Sequence, residues 1–449
     1  LYIFKNNNIV KSFNLKERIP FKMDILNDYN LLFPINYSLS IFKGETIVSL
    51  QRCPHNYNII GIVEGKTTFF LFNPKHKNDI LNNDKISIVV ELIGGIEPAK
   101  SIIIEAFRKG KDVVTANKAI LAEYGTEIFA EARRNKRNIA FQGAVCGEMR
   151  VLDELLEIPS HRDTTSIVGI VNGSSNFVLD SMEKGLSYDS AVKDAKEKGI
   201  TEKDESFDLE GIDAAQKLTI IASVAFGDNL TVTDVFREGI TKVTTADIEY
   251  SRKLGYSIKP LAIAKKSDIL ELRVHPALVP LTHPLSSVRA ENNAVSIYLQ
   301  NRTEPRTIIG KGAGSPTSTS ILSDIVELAK KRSLSVFDIP RIYSENIRQN
   351  KISKNEFITP FYLRFNASNN PGVLSKISGV LGENGINISK AIQMEFSGIG
   401  NTTPLVLTVD AARNSSLRKA ISDIEKLNIS KKYIITKTLN LCKKIQIYR

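Results

Sequence analysis

From Asp84 onward the chain alternates between short apolar runs and amphipathic helical patterns, and that alternation restricts the fold more than any other feature. "KISIVVELIGG" is a continuous apolar run ending in a glycine pair, as expected of a strand buried on both faces. "EPAKSIIIEAFRKGK" has helical spacing, with Pro98 near its start and Gly110 at its end. "DVVTANKAILAEYGTEIFAEARRNK" predicts a strand, a short turn at Ala116–Asn117 and a second helix, and "NIAFQGAV" a further strand. Strands and helices at this spacing build an α/β parallel sheet. Upstream, residues 1–84 keep no such period. Asparagine is frequent there, and only "IVEGKTTFFLF" suggests a strand pair.

Past this region "TTSIVGIVNGSSNFVLDSMEKG" predicts a strand, an Asn-Gly turn and a helix capped by Ser174 or Ser175. "LELRVHPALVP" and "NAVSIYLQN" have the look of sheet strands, and "GKGAGSPTSTSILSDIVELAKKR" of a glycine-rich turn opening a helix. Residues 331–358 suggest a linker. After it the order strand, helix, strand, strand, helix, strand repeats a compact βαββαβ plan over residues 359–440.

Composition narrows the function classes. At 449 residues, 42% apolar and 24% charged, the chain has the balance of a soluble globular protein of two or three domains. No apolar run is long enough for a membrane helix, and no basic-then-apolar leader opens the sequence, so no membrane partner is expected. Cys53, Cys146 and Cys442 lie far apart without metal or disulfide spacing, which points to a reducing, cytoplasmic setting. The net charge is +11, and residues 431–449 carry Lys431, Lys432, Lys437, Lys443, Lys444 and Arg449 with no acid. Only Tyr433 and Tyr448 stand among these charges and no binding motif lies beside them, so the stretch reads as a solvated strand end and tail and no nucleic-acid partner is expected.

The chemistry concentrates in "GITEKDESFDLEGIDAAQKL", residues 199–218, with six acids: Glu202, Asp204, Glu205, Asp208, Glu210 and Asp213. Asp213 and Lys217 stand four apart on one helical face. An isolated pair of this kind is a surface ion pair of little consequence. Here the helix "IDAAQKLTIIASVAF" is apolar on several sides and is expected to be buried. A buried lysine needs carboxylates beside it, and desolvation eases loss of its proton. Such a lysine is suited to exchanging a proton with a substrate hydroxyl, while Glu202 and Asp208 attract a cationic group. Lys118, in the turn after a strand, lies at the carboxyl edge of the parallel sheet where ligands bind in such folds. Taken alone it reads as an exposed first-turn lysine. In "NNPGVL", Gly372 permits close backbone approach and the helix behind it favours a carboxylate; Asn369 and Asn370 bind an amino group or brace the turn.

"VVTANKAILAEYG", "GIVNGSSNF", the acidic stretch, "RVHPALVPLTHPLSSV" and "GKGAGSPT" stand in the order found in homoserine dehydrogenases, which the chain resembles from about Asp84 to Asp324. Residues 359–440 resemble the ACT regulatory domain that follows the catalytic part in many bacterial members. The resemblance implies NADP- or NAD-dependent interconversion of L-homoserine and L-aspartate 4-semialdehyde, in threonine, methionine and isoleucine biosynthesis. It implies an incomplete Rossmann-like domain at 85–141 behind an aberrant segment 1–84. An α+β catalytic and dimerisation domain at 142–330, a linker at 331–358, the ACT domain at 359–440 and a basic tail at 441–449 follow. Lys217 matches the family's proton donor and acceptor, Glu202 and Asp213 its substrate acids with Asp208 nearby, and Lys118 the lysine beside the nicotinamide. Thr115, Ala116 and Asn117 form the turn around it, and Gly199 and Gly314 match positions lining the cofactor. A sodium ion is implied at Gln142, Val145, Gly147 and Met149. Threonine is the implied effector, and a homodimer or homotetramer the implied assembly. His275 and His283 match the motif too, and His275, in "RVHP", reads as a buried hydrogen-bonding group.

Two departures qualify the likeness. Gln142 stands where a glutamate is expected, and no Gly-x-Gly-x-x-Gly turn occurs in residues 1–84. That turn seats a dinucleotide pyrophosphate on a helix N-terminus, and side chains in place of its glycines block the phosphate. The abrupt change at Asp84, with the downstream site intact, points to damage to the coding sequence near its start. The competing function is a catalytically impaired protein that binds amino acids through its ACT domain.

Overall fold

Two compact units make up the chain in a computed structural model. The structure describes most of residues 78–329 and 356–438. Exceptions lie at 85, 159–162, 202–203, 268, 301, 313–314, 394–401 and 428–429; upstream of residue 78 it describes only the backbone of strands and of Lys77. The expected linker, the basic tail, Glu202 and Gly314 therefore fall wholly or largely outside the described residues.

The first unit is built on a parallel sheet. Strands β1 (Thr67–Leu71), β2 (Ile88–Glu91), β3 (Asp112–Thr115) and β4 (Ile139–Ala140) lie side by side in the order β4-β3-β2-β1. Strand Ile62–Glu64 pairs antiparallel with β1 at the edge. Helix α1 (Ala99–Arg108) links β2 to β3, and α2 (Lys118–Arg134) links β3 to β4. The predicted alternation over residues 85–141 is thus realised, and β1 carries the parallel sheet upstream of Asp84. Two expectations change. The strand expected across "NIAFQGAV" closes after Ala140, and Gln142–Ala144 turns in a 3-10 helix. The unit also runs on to Leu156 and takes in the later helix Ser315–Ala329. Ile321, Ile325 and Leu328 of that helix share one face and cover Ile88, Val90, Val114 and Ala140.

The second unit holds a ten-stranded sheet. β5 (Thr164–Ile170) leads through α3 (Gly173–Glu183) and the buried α4 (Ile212–Phe226) to α5 (Thr245–Lys253). Long strands β6 (Tyr256–Lys266) and β7 (Leu270–Pro280) follow, then β8 (Asn292–Leu299) and β9 (Arg306–Lys311). The C-terminal βαββαβ module is β10 (Ile358–Ser368), α6 (Val373–Glu383), β11 (Ile388–Gln393), β12 (Thr402–Arg413), α7 (Asn414–Lys426) and β13 (Ser430–Thr438), in the predicted order. Its strands do not form a separate layer. The order β9-β8-β5-β6-β7-β13-β10-β12-β11 joins both sheets through β7 and β13, parallel at Ala277↔Lys437 and Leu278↔Thr438. Phe361, Leu363, Phe365, Ile377, Leu381, Leu407, Leu417 and Ile421 make the module's own core.

Candidate active site

Helix α4 positions the central pair. Every residue from Asp213 to Phe226 is buried, as its all-round apolar sequence requires. The Lys217 ammonium, on a residue only 8% exposed, donates to Asp213 Oδ2 at 2.7 Å and to the Val171 carbonyl at 2.9 Å. A charge taken this far from water is retained only with such partners. Asn172 completes the cluster. Its Nδ2 donates to Asp208 Oδ1 at 2.8 Å and to Asp213 Oδ2 at 2.9 Å. Thr201 Oγ1 donates to Asp208 Oδ2 at 3.2 Å. The fold thus gathers Asp208, Asp213 and Lys217 around one asparagine.

Asn172 also corrects the expected cap of α3. Its own Oδ1 accepts from the Ser175 amide at 2.8 Å, so Asn172 is the cap, and Ser174 and Ser175 lie inside the helix. Those serines bond outward instead, to the carbonyls of Ile200 and Asp208. Gly173 opens the helix where a Cβ would fall 2.5 Å from the Glu291 carbonyl. Asn172 escaped the sequence reading although an asparagine directly after a strand and before a helical run is a cap signal. Gly199 closes the helix Tyr188–Glu197 in the left-handed conformation, with open space beside it.

In the first unit, Lys118 begins α2, half-buried, at the carboxyl end of β3. The turn before it is held by a network that the sequence did not reveal. Glu91, 1% exposed at the end of β2, accepts from Thr115 Oγ1 at 2.7 Å and from the Ile93 amide at 2.7 Å. Asn117 caps α2 and sends its Nδ2 to the Gly95 carbonyl at 2.7 Å. Gly94 and Gly95 adopt φ of 80° and 72° and face open space. These positions suit a dinucleotide: a glycine turn that a ligand can approach, beside a polar turn, at the carboxyl edge of two parallel strands.

The positions implied for a cation lie beyond β4. Gln142 is buried; its amide N–H donates to Asp324 at 2.9 Å and its Nε2 to Asp153, leaving Oε1 buried without a partner. Burial, with Glu327 next, raises the Asp324 carboxyl well above the usual range. Val145, Gly147 and Met149 are also buried. Among the described residues no group of three or more His, Cys, Asp and Glu is placed to hold a metal ion. His275 is buried as expected, and His283 is half-buried. His275 bonds the Pro276 carbonyl at 2.9 Å, and burial, with Lys437 and Arg273 nearby, holds it well below its ordinary value; His283 bonds Tyr298 at 2.9 Å.

A parallel sheet with a glycine turn at its carboxyl edge in one unit, and a buried lysine–aspartate pair in the other, are parts that the class of nicotinamide-dependent oxidoreductases requires. Comparison with known proteins narrows it. The family model for homoserine dehydrogenase matches residues 151–326, that for the homoserine dehydrogenase NAD binding domain residues 73–142, and that for the ACT domain residues 361–426. The homoserine dehydrogenase of Pseudomonas aeruginosa is 37% identical over 358 residues, 78% of this chain and 82% of its own. That of Bacillus subtilis is 35% identical, over 78% and 81%. The crystal structure of a Thiobacillus denitrificans homoserine dehydrogenase superposes with a TM-score of 0.75 at 33% identity, covering 82% of this chain and 85% of that one. The chain belongs to the homoserine dehydrogenase family and carries an ACT domain. Its activity is the NAD(P)-dependent interconversion of L-homoserine and L-aspartate 4-semialdehyde. Among the described residues no helix is long and apolar enough to cross a membrane.

Proposed function

We propose that Lys217 is the proton-exchanging residue of this reaction. The observation that carries the reading is the buried Lys217 ammonium between Asp213 and the Val171 carbonyl. In the reducing direction it gives a proton to the aldehyde oxygen; in the oxidising direction, as the amine, it takes the proton of the homoserine hydroxyl. Asp213 holds Lys217 in place and, with Asp208 and Glu202, attracts the substrate's ammonium group. Lys118 assists at the reacting oxygen. A bound nicotinamide cofactor supplies or accepts the hydride, and Thr115, Asn117, Lys118, Gly199 and Gly314 are the residues assigned to hold it. A homoserine dehydrogenase from a hyperthermophilic archaeon, 27% identical with a TM-score of 0.50, is known in complex with NADPH, which favours NADP. Lys217→Ala is expected to lower turnover a hundredfold or more. A loss below threefold in steady-state assays would overturn the assignment.

The same reading extends to regulation and setting. A cavity of about 310 Å³ is lined by Asn369, Asn370, Gly372, Gln393 and Thr403, and the Thr403 hydroxyl is buried without a partner. Gly372 stands at the start of α6 with φ of 85°. These features support binding of a pathway amino acid, threonine, at this corner. Thermal melts of the full chain with threonine at a hundred times its dissociation constant should show about 2.7 kcal/mol of stabilisation; no shift at that concentration rejects an effector role. The unpartnered Gln142 Oε1, with the carbonyls of Val145, Gly147 and Met149, is the assigned sodium site. We assign a homodimer or homotetramer in the cytoplasm.

A further inference from the structure

The segment Phe236–Thr241 lies between the ACT module and the substrate acids, and both of its flanks are tied. On one flank, Phe236 and Arg237 pair with β7 at Arg273 and Val274, and the Glu238 amide donates to the Val274 carbonyl at 2.8 Å. Here the ACT strand β13 reaches across: Lys437, expected in solvent, is instead buried and forms an ion pair with Glu238, its ammonium 4.7 Å from the centre of the Phe236 ring. Phe236 in turn meets Phe357 edge-on at 5.1 Å. A few residues on, Arg364 and Tyr362 of β10 bond Asp247 of α5 at 2.6 Å and 3.1 Å. The ACT module thus grips the start of the segment and the helix that follows it.

On the other flank the segment presses on the turn between Asp208 and Asp213. The Ile240 amide donates to the Leu209 carbonyl at 2.8 Å, Arg237 Nη1 to the Glu210 carbonyl at 2.8 Å, and Thr241 Oγ1 to Glu210 Oε1 at 2.9 Å. Gly239 fits so closely that a Cβ would fall 2.5 Å from the Leu209 carbonyl and 2.6 Å from Glu210 Cα. Gly211, at φ of 77°, lies against β7, where a Cβ would fall 3.1 Å from Val274 Cγ1. The turn that sets the separation of Asp208 and Asp213 is therefore wedged between β7 and the segment.

We propose that Glu238, held by Lys437 of the ACT module, is a positioning residue for substrate binding: the segment 236–241 acts as a strap that fixes the turn between Asp208 and Asp213. This rests on the reading of those two acids as the substrate's ammonium site. A half-removed buried ion pair leaves the other charge uncompensated, so the strap shifts when either partner is lost. The strap's bonds to Leu209 and Glu210 hold the acids' turn, so its loss is felt in affinity for homoserine.

The test is calorimetric titration of L-homoserine into the full chain, with NADPH affinity measured alongside. Glu238→Gln and Gly239→Ala are each expected to raise the homoserine Kd five- to tenfold and leave NADPH affinity unchanged. The double variant Glu238→Gln/Lys437→Met should be no weaker than Glu238→Gln alone, since residues acting as one unit are non-additive. A purely structural role lowers Tm and leaves both dissociation constants where they were; that outcome in both single variants overturns the proposal. Where Glu238→Gln fails to fold, Thr241→Val cuts a solvent-facing tie to Glu210 and should raise the Kd two- to threefold, and an unchanged Kd overturns the strap. Asp208→Asn separates the two levels. Weakened binding in Asp208→Asn without any change in the strap variants refutes the strap alone. Unchanged binding in Asp208→Asn removes the reading of the acids, and the strap with it.

Discussion

The head of α4 and the turn before α2 each present a lysine, yet they are held by different means. Lys217 is fixed by its own helix and by the residues that end β5: a carboxylate four residues away, a carbonyl, and one asparagine across both acids. Lys118 follows a turn whose shape depends on Glu91, a residue on the neighbouring strand. The first arrangement is a buried charged cluster cross-linked by hydrogen bonds. The second is a backbone loop with space left open beside its glycines. Proton exchange needs a fixed donor, whereas a dinucleotide needs a surface the main chain can bring close.

If the two regions are independent, they should fail independently. Asn172→Ala is expected to have the largest effect. It strips a hydrogen bond from each of Asp208 and Asp213 and removes the cap of α3, at a cost of about 3 kcal/mol in urea melts. Homoserine affinity should fall tenfold or more while NADPH affinity holds. Glu91→Ala should do the reverse: about 2 kcal/mol lost, because Thr115 and the Ile93 amide lose a buried acceptor, and NADPH affinity weakened with homoserine affinity intact. Loss of both ligands in either variant would break the separation.

Another buried lysine sharpens the contrast, with a carbonyl where Lys217 has a carboxylate. Lys259 on β6 is fully buried and bonds the Val288 carbonyl at 2.8 Å. Burial lowers it from 10.5 to about 8, partly offset by Glu183 and Asp180 and reinforced by Arg289 and Lys184. Below pH 8 both folded and unfolded states carry the charge and the burial cost is felt in full. From about pH 8 to 10.5 the folded state has lost a proton that the unfolded state keeps, so stability rises with pH. Lys259→Met should reduce that rise by about 1–2 kcal/mol between pH 7.5 and 9.5, and an unchanged pH dependence would contradict it.

What the sequence disclosed follows the range of the interactions. Asp213 and Lys217 were legible because helix geometry alone puts residues four apart together, and the all-round apolar pattern announced burial. The βαββαβ module was legible because each element declares its own period. Glu91, Asn172 and the pair Glu238–Lys437 were not. Their partners come from other strands and turns, and only the register of β2 on β3 or of β7 on β13 brings them into reach. Gly239 gave no signal either, since the neighbour that forbids a side chain there is the carbonyl of Leu209.

The shared sheet has a consequence for how the chain is made. β7 has β6 on one side and β13 on the other, and β13 is the last described strand to be synthesised. Until it arrives, part of β7 remains an open edge with unpaired backbone groups, in a long apolar strand that invites pairing with other nascent chains. Pairings this remote in sequence also form slowly. The ACT module is therefore the closing piece of the catalytic sheet, and shortening the chain before Ser430 should yield aggregates in place of an unregulated enzyme.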